Sequence, residues 1–80
     1  MITVTEAAAA VLRRSVGAAR RFEEEAGIRA CRGGSTIDFT LATAPEPGDA
    51  TVESDGFVLW VEAGLDGTVD VGDHDRLVIR

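Results

Sequence analysis

The sequence is short of several residue types, and each shortage excludes a class of protein. It has a single cysteine, Cys31, so no internal disulfide can form, and a reducing, cytoplasmic location is expected. No apolar run approaches the roughly 20 residues of a membrane span, and the start lacks the basic-then-apolar order of a secretory signal. A chain without a membrane segment is therefore predicted.

Lysine is also absent, so arginine supplies all the cationic side chains of a sequence whose formal net charge is −6. Residues 1–35 hold six arginines and four acids, whereas residues 36–80 hold two and ten. Because an acidic surface repels a polyanion, nucleic acid is not an expected partner. The apolar share of 45% indicates a folded protein, and 80 residues suffice for one domain spanning 1–80.

One long amphipathic helix is predicted near the N-terminus, from Glu6 to about Glu25. Thr5 is well placed to cap its first turn, and Gly27 is expected to close it. Apolar side chains recur every three or four positions and predict a buried face. That face comprises Ala8, Val11, Leu12, Val16, Ala19 and Phe22.

Around this helix the pattern predicts short strands, because apolar residues then alternate with polar ones. Phe57 to Glu62 follows an Asp-Gly turn and is apolar on both sides, which favours a central position. Its second side carries Val58 and Trp60, which form either a second core layer or an oligomer contact. The predicted strands are Ile2 to Val4, Ile28 to Arg32, Ile37 to Leu41, Thr51 to Glu53, Phe57 to Glu62, Thr68 to Val71 and Leu77 to Ile79.

This order of elements predicts an α+β fold. We expect the long N-terminal helix to pack on a mainly antiparallel, partly folded-over sheet of short strands. The segment 44–49 contains two prolines and is expected to form a surface loop.

Three stretches in this order resemble the A-type iron–sulfur carrier family, also called HesB-like or IscA-like proteins. The first is the opening strand and Thr-capped helix start, Ile2 to Ala8. The second is Gly27-Ile28-Arg29 with Arg32-Gly33-Gly34 and Phe39 after it. The third is Asp55 to Val61, followed by Leu65 to Asp70 with its Leu-Asp-Gly turn. Together they span nearly the whole sequence, and the resemblance implies a HesB-like fold.

The ligands that the resemblance implies are missing from this sequence. Members of that family hold iron or a cluster through three cysteines, one just after the glycine stretch and two in a Cys-x-Cys pair near the C-terminus. Thr36 stands at the first of these positions, and the sequence stops at Leu77 to Arg80 before any such pair. Because a threonine hydroxyl does not replace a thiolate, no family ligand carries over.

Cys31 is the one candidate cofactor ligand. Arg29 and Arg32 lie close in sequence and could lower its pKa, although a free cysteine in a strand is commonly a small packed apolar residue. A cluster commonly takes four thiolates, so binding through Cys31 would need further copies of the chain in a homo-oligomer.

A second candidate site is the segment Asp73-His74-Asp75, where carboxylates and the only histidine come together and could attract a divalent cation. Aspartate is also a common turn residue, so an ordinary solvated turn is the alternative.

The sequence thus leads us to expect a non-catalytic HesB-like domain without cluster ligands or a resident cofactor, working as a binding or scaffold module for a protein partner. Two alternatives stay open: an iron or cluster carrier that uses Cys31 across a homo-oligomer, and a metal-dependent site at Asp73-His74-Asp75.

Overall fold

One helix and seven strands in two sheets make up the fold in a computed structural model, which describes residues 1–80. No helix is both long and apolar enough to cross a membrane. In chain order the elements are β1 (Ile2–Val4), α1 (Glu6–Ala19), β2 (Gly27–Gly33), β3 (Thr36–Ala42), β4 (Ala50–Ser54), β5 (Phe57–Val61), β6 (Gly67–Val71) and β7 (Leu77–Ile79). The α+β class is therefore confirmed.

The larger sheet consists of two hairpins laid side by side, in the strand order β3-β2-β5-β4. The β2–β3 and β4–β5 pairs are antiparallel, and the inner strands β2 and β5 run parallel to each other. As predicted, β5 lies inside the sheet.

The smaller sheet has the order β1-β6-β7, with a parallel β1–β6 pair and an antiparallel β6–β7 pair. The prediction of one folded-over sheet is thus corrected to two separate, mixed sheets. Turn signals reveal pairs of strands that are adjacent in sequence, whereas both parallel pairs join strands that are distant along the chain.

The core forms where α1 packs on strands from both sheets. Ala8, Leu12 and Val16 recur every four residues on one helix face and are fully buried. They meet apolar side chains of β2, β5 and β6: Ile28, Ala30, Phe57, Leu59, Val61 and Val69. Thr5 caps the helix as predicted, since its Oγ1 accepts a hydrogen bond from the Ala8 amide at 3.1 Å.

The C-terminal end of the helix differs from the prediction. The helix ends at Ala19 rather than near Glu25, and Gly27 begins β2 instead of closing α1. The Arg20 side chain donates from Nε to the Ala26 carbonyl at 3.0 Å, which holds the following turn back against the helix end. Three consecutive glutamates, Glu23 to Glu25, would also oppose the helix dipole if the helix continued.

Each strand of the larger sheet has one side toward α1 and one side away from it. We call the second side the outer face; Arg29 and Cys31 of β2 lie on it, as do Val58 and Trp60 of β5. Trp60 is only 8% exposed and Val58 is half-buried. These two residues therefore form the second core layer, and not an open contact patch.

Candidate functional site

Cys31 lies in the middle of β2, half-buried on the outer face, and is a free thiol. In the β2–β3 ladder it is directly opposite Asp38. On the other side Glu62 follows β5, and its amide donates to the Ala30 carbonyl at 2.9 Å. The thiol thus sits on a strand flanked by carboxylate-bearing neighbours.

The strand places the two arginines that are near Cys31 in sequence on opposite faces of the sheet. Arg29 is on the same face as Cys31, but its guanidinium binds Asp49. Arg32 points to the opposite face, because successive side chains of a strand alternate, and it is exposed. Arg29 therefore shares the outer face with the Cys31 thiol, and Arg32 does not.

Thr36 lies at the hairpin end of β3, opposite Gly33, and on the same face as Cys31 and Asp38. Its hydroxyl donates to the Gly33 carbonyl at 3.1 Å. The turn between the strands uses Gly34 at φ 68°, a left-handed conformation that favours glycine. The glycine stretch thus forms a tight hairpin whose threonine is engaged with the backbone.

The most buried charged pair on the outer face joins Arg29 to Asp49. Arg29 Nε donates to Asp49 Oδ2 at 2.8 Å, and Nη2 donates to Oδ1 at 2.9 Å. These bonds hold the pKa of Asp49 below its usual value and raise the pKa of Arg29. This pair holds the loop of residues 44–49, which contains both prolines, against the sheet. Neither side chain is therefore free to bind a ligand.

The predicted Asp73-His74-Asp75 site is an exposed 3₁₀ turn between β6 and β7. His74 and Asp75 both adopt φ 59°. The Oδ2 atom of Asp75 lies 3.5 Å from Nη2 of Arg14 in the helix. No group of three or more His, Cys, Asp and Glu side chains is arranged to hold a metal ion. The turn does not bring its side chains together as a ligand set.

Asp70, just before this turn, is committed to a structural network. Its Oδ1 accepts hydrogen bonds from the Thr5 hydroxyl at 3.0 Å and the Val71 amide at 2.8 Å, and its Oδ2 accepts one from Arg80 at 3.3 Å. The Val71 amide contributes most to holding the pKa of Asp70 below its usual value. Asp70 therefore links the start of α1 to the smaller sheet.

An apolar surface that the sequence did not predict lies where α1 ends beside the end of β3. Phe22 is 92% exposed, although it was expected on the buried face of the helix, and Leu41 is 61% exposed. They line a shallow cavity of about 330 Å³ together with Ala19, Glu23, Ala26, Ala42 and Thr43. We call this set of residues the Phe22–Leu41 patch. The sequence prediction missed this surface because it continued the helix to about Glu25. The helix ends at Ala19, which removes Phe22 from its buried face.

Two mixed sheets with one helix packed across them define a small α+β domain. Comparison with solved structures finds this architecture in a crystal structure of IscA with its 2Fe–2S cluster. The similarity has a TM-score of 0.50 at 20% sequence identity, and it covers 100% of this chain and 82% of that one. No protein-family model matches the sequence, and no curated protein does. The chain is therefore similar in fold to IscA, which agrees with the fold that the sequence resemblance implies.

Proposed function

We propose that this chain is a HesB-like domain that has no cluster ligands of its own and works by binding another protein, as a scaffold or adaptor without catalytic activity. The single observation that carries the proposal is the thiol count. An IscA-like fold is combined with one cysteine in these 80 residues.

Cluster chemistry explains why one thiol matters. Each iron of a 2Fe–2S cluster needs two protein ligands besides the bridging sulfides, so the cluster commonly takes four cysteine thiolates. Cys31 supplies one, and the hydroxyl of Thr36 is hydrogen-bonded to the Gly33 carbonyl. The buried carboxylate of Asp49 is paired with Arg29. On the outer face, Cys31 is therefore the only thiol that could bind iron, and the neighbouring polar groups of Thr36 and Asp49 already have hydrogen-bond partners.

Anaerobic reconstitution with ferrous iron and sulfide tests the proposal. After desalting, we expect no visible chromophore and no stoichiometric iron on the wild-type protein. The Cys31→Ser variant serves as the matched control and should give the same blank result. A stable chromophore with bound iron in the wild type would refute the claim that the ligands are lost.

The half-buried position of Cys31 on a sheet face favours one alternative, an iron or cluster carrier in which several copies pool this thiol. Here iron would be retained by the wild type, lost in Cys31→Ser, and found only in an oligomeric fraction. Iron that persists in Cys31→Ser would exclude this route.

A further inference from the structure

We propose that the Phe22–Leu41 patch is the docking surface for a protein segment that carries apolar and basic side chains together. This inference rests on the proposed binding function and adds the surface and the chemistry of the partner.

The first argument is the exposure of two large apolar side chains side by side. Phe22 is 92% exposed and Leu41 is 61% exposed, and apart from Met1 they are the only large hydrophobic residues so exposed. Three alanines, Ala19, Ala26 and Ala42, line the cavity between them. Burying a Phe or Leu side chain gains about 1.5–3 kcal/mol, so this patch can supply most of the affinity of a weak complex.

The second argument is that the exposure is fixed by the backbone. The Arg20 side chain donates to the Ala26 carbonyl, and the amides of Phe22 and Glu23 donate to the Ala19 carbonyl at 3.0 and 2.9 Å. These bonds shape the turn that follows α1 and place Phe22 outside the core. The patch is thus presented on an ordered turn.

The third argument is charge, which selects the partner. Glu23, Glu24 and Glu25 follow Phe22 directly, are all exposed, and take part in none of the ion pairs of the chain. Arg20 and Arg21 precede Phe22 and carry two positive charges, because the hydrogen bond from Arg20 to the neutral Ala26 carbonyl removes no charge. Residues 20–25 thus carry two positive and three negative charges, and Glu23 is the one charged side chain that lines the cavity. The patch is therefore net negative and complements lysine or arginine next to apolar side chains.

The same negative charge disfavours a second copy of the chain as the occupant. If two copies met through this patch, Glu23 to Glu25 of one copy would approach the same residues of the other. The net charge of each copy is already −6. Like charges brought together across an interface oppose association. A segment of another protein with basic and apolar side chains complements both the negative charge and the exposed apolar side chains of the patch.

Titration of the isotope-labelled protein by NMR with a short capped peptide of alternating arginine and leucine tests this inference. We expect shift changes centred on Ala19, Phe22, Ala26, Leu41 and Ala42, and binding that weakens as salt is added. A peptide of alternating glutamate and leucine controls for charge, and one of alternating arginine and serine controls for apolar contact. Both should bind more weakly.

Two variants separate the apolar and acidic parts of the surface. Phe22→Ser combined with Leu41→Thr should weaken binding of the arginine–leucine peptide by roughly tenfold or more. Replacing Glu23, Glu24 and Glu25 by glutamine should remove most of the salt dependence. A matched control variant neutralises three exposed carboxylates elsewhere and changes the net charge equally: Asp38→Asn, Glu53→Gln and Asp73→Asn. This control should keep most of the salt dependence.

The proposal is overturned if the shift changes map elsewhere, if the glutamate–leucine peptide binds equally well, or if both triple variants behave alike. Sedimentation that shows a wild-type dimer abolished by the Phe22/Leu41 double variant would assign the patch to a second copy and also overturn it. Reconstitution of a cluster would refute the loss of ligands without moving the peptide-binding site, so the two proposals fail separately.

Discussion

Arg29 and Asp49, twenty residues apart in sequence, form a bidentate ion pair in which the Asp49 side chain is only 1% exposed. The pair connects the middle of β2 to the loop that carries both prolines. In the β2–β5 ladder Arg29 is also the register partner of Trp60. The ion pair and Trp60 therefore lie next to each other on the outer face. The pair thereby attaches the loop to the outer face at the strand position next to Trp60.

Replacing Asp49 by asparagine should lower the melting temperature and change the fluorescence of Trp60. An amide has one acceptor oxygen and no charge, so it cannot satisfy both guanidinium donors of Arg29. Trp60 is the only tryptophan and tyrosine is absent, so fluorescence reports on this position alone. We expect an emission shift to longer wavelength as the loop loosens.

Asp75→Asn is the matched control for this variant. Asp75 pairs with Arg14 at 3.5 Å, but both side chains are about two-thirds exposed or more, at 67% and 74%. Exposed pairs contribute little to stability, so the melting temperature should stay unchanged. Equal effects of the two substitutions would contradict the structural role assigned to Asp49.

Gly27→Ala should destabilise the protein by about 1–3 kcal/mol, the usual cost of overpacking. A Cβ atom at this position would lie 2.6 Å from Val58 Cγ1 and 2.7 Å from a ring carbon of Trp60. The outer-face layer covers Gly27 too closely for a methyl group. Chemical denaturation followed by circular dichroism measures the change.

Gly17→Ala makes the same chemical change in a different environment and should stabilise the protein by up to about 1 kcal/mol. Gly17 is exposed inside α1, and a Cβ atom there would have no neighbour within 4 Å. If Gly27→Ala stabilises the protein as Gly17→Ala does, the packing of Val58 and Trp60 over Gly27 is wrong.

Local sequence signals predicted the elements better than their arrangement. The Thr5 cap, the Asp55-Gly56 turn and the alternation of β3 as far as Phe39 each depend on residues within a few positions, and all three appear in the structure. The parallel pairing of β1 with β6 depends on chain closure over more than sixty residues, which no local pattern encodes. Two mixed sheets therefore could not be read from turns alone.

The same distinction holds for the candidate site. Cys31 could be placed on a strand from its neighbours, and the structure agrees. The partner of Arg29 could not be foreseen, since Asp49 is one of two acids in its loop and only the folded chain brings it near. Phe22 matched the helical period by chance, because the helix ends three residues before it.

The helix end itself yields a prediction for core packing. Leu12→Ala should cost about 2–5 kcal/mol, since Leu12 is fully buried and truncation leaves a cavity. Phe22→Ala should change the free energy of unfolding by less than about 0.5 kcal/mol, because its side chain is exposed. Denaturant titrations of both variants measure this difference, and a large loss for Phe22→Ala would mean that the helix continues and buries this residue.

Acid should destabilise the protein through three aspartates whose pKa values are lowered in the folded state. Asp49 is held ionised by Arg29, Asp66 by the N-terminal ammonium, and Asp70 first by the Val71 amide. The unfolded chain binds protons on these groups at a higher pH, near the ordinary aspartate value of about 3.9. Their contribution is thus complete above that pH and is lost as the pH falls through the lower folded values.

Denaturant titrations at a series of pH values test this linkage. The free energy of unfolding should decrease with falling pH below about 4, with a slope set by the extra protons that the unfolded state binds. Asp70→Asn removes one of the three groups, so its slope should be shallower while its stability at neutral pH is reduced. Neutralising Asp55, an exposed turn residue without an ion pair, should leave the slope as it is. A wild-type slope that Asp70→Asn does not change would show that the network of Thr5, Asp70 and Arg80 does not contribute to acid sensitivity.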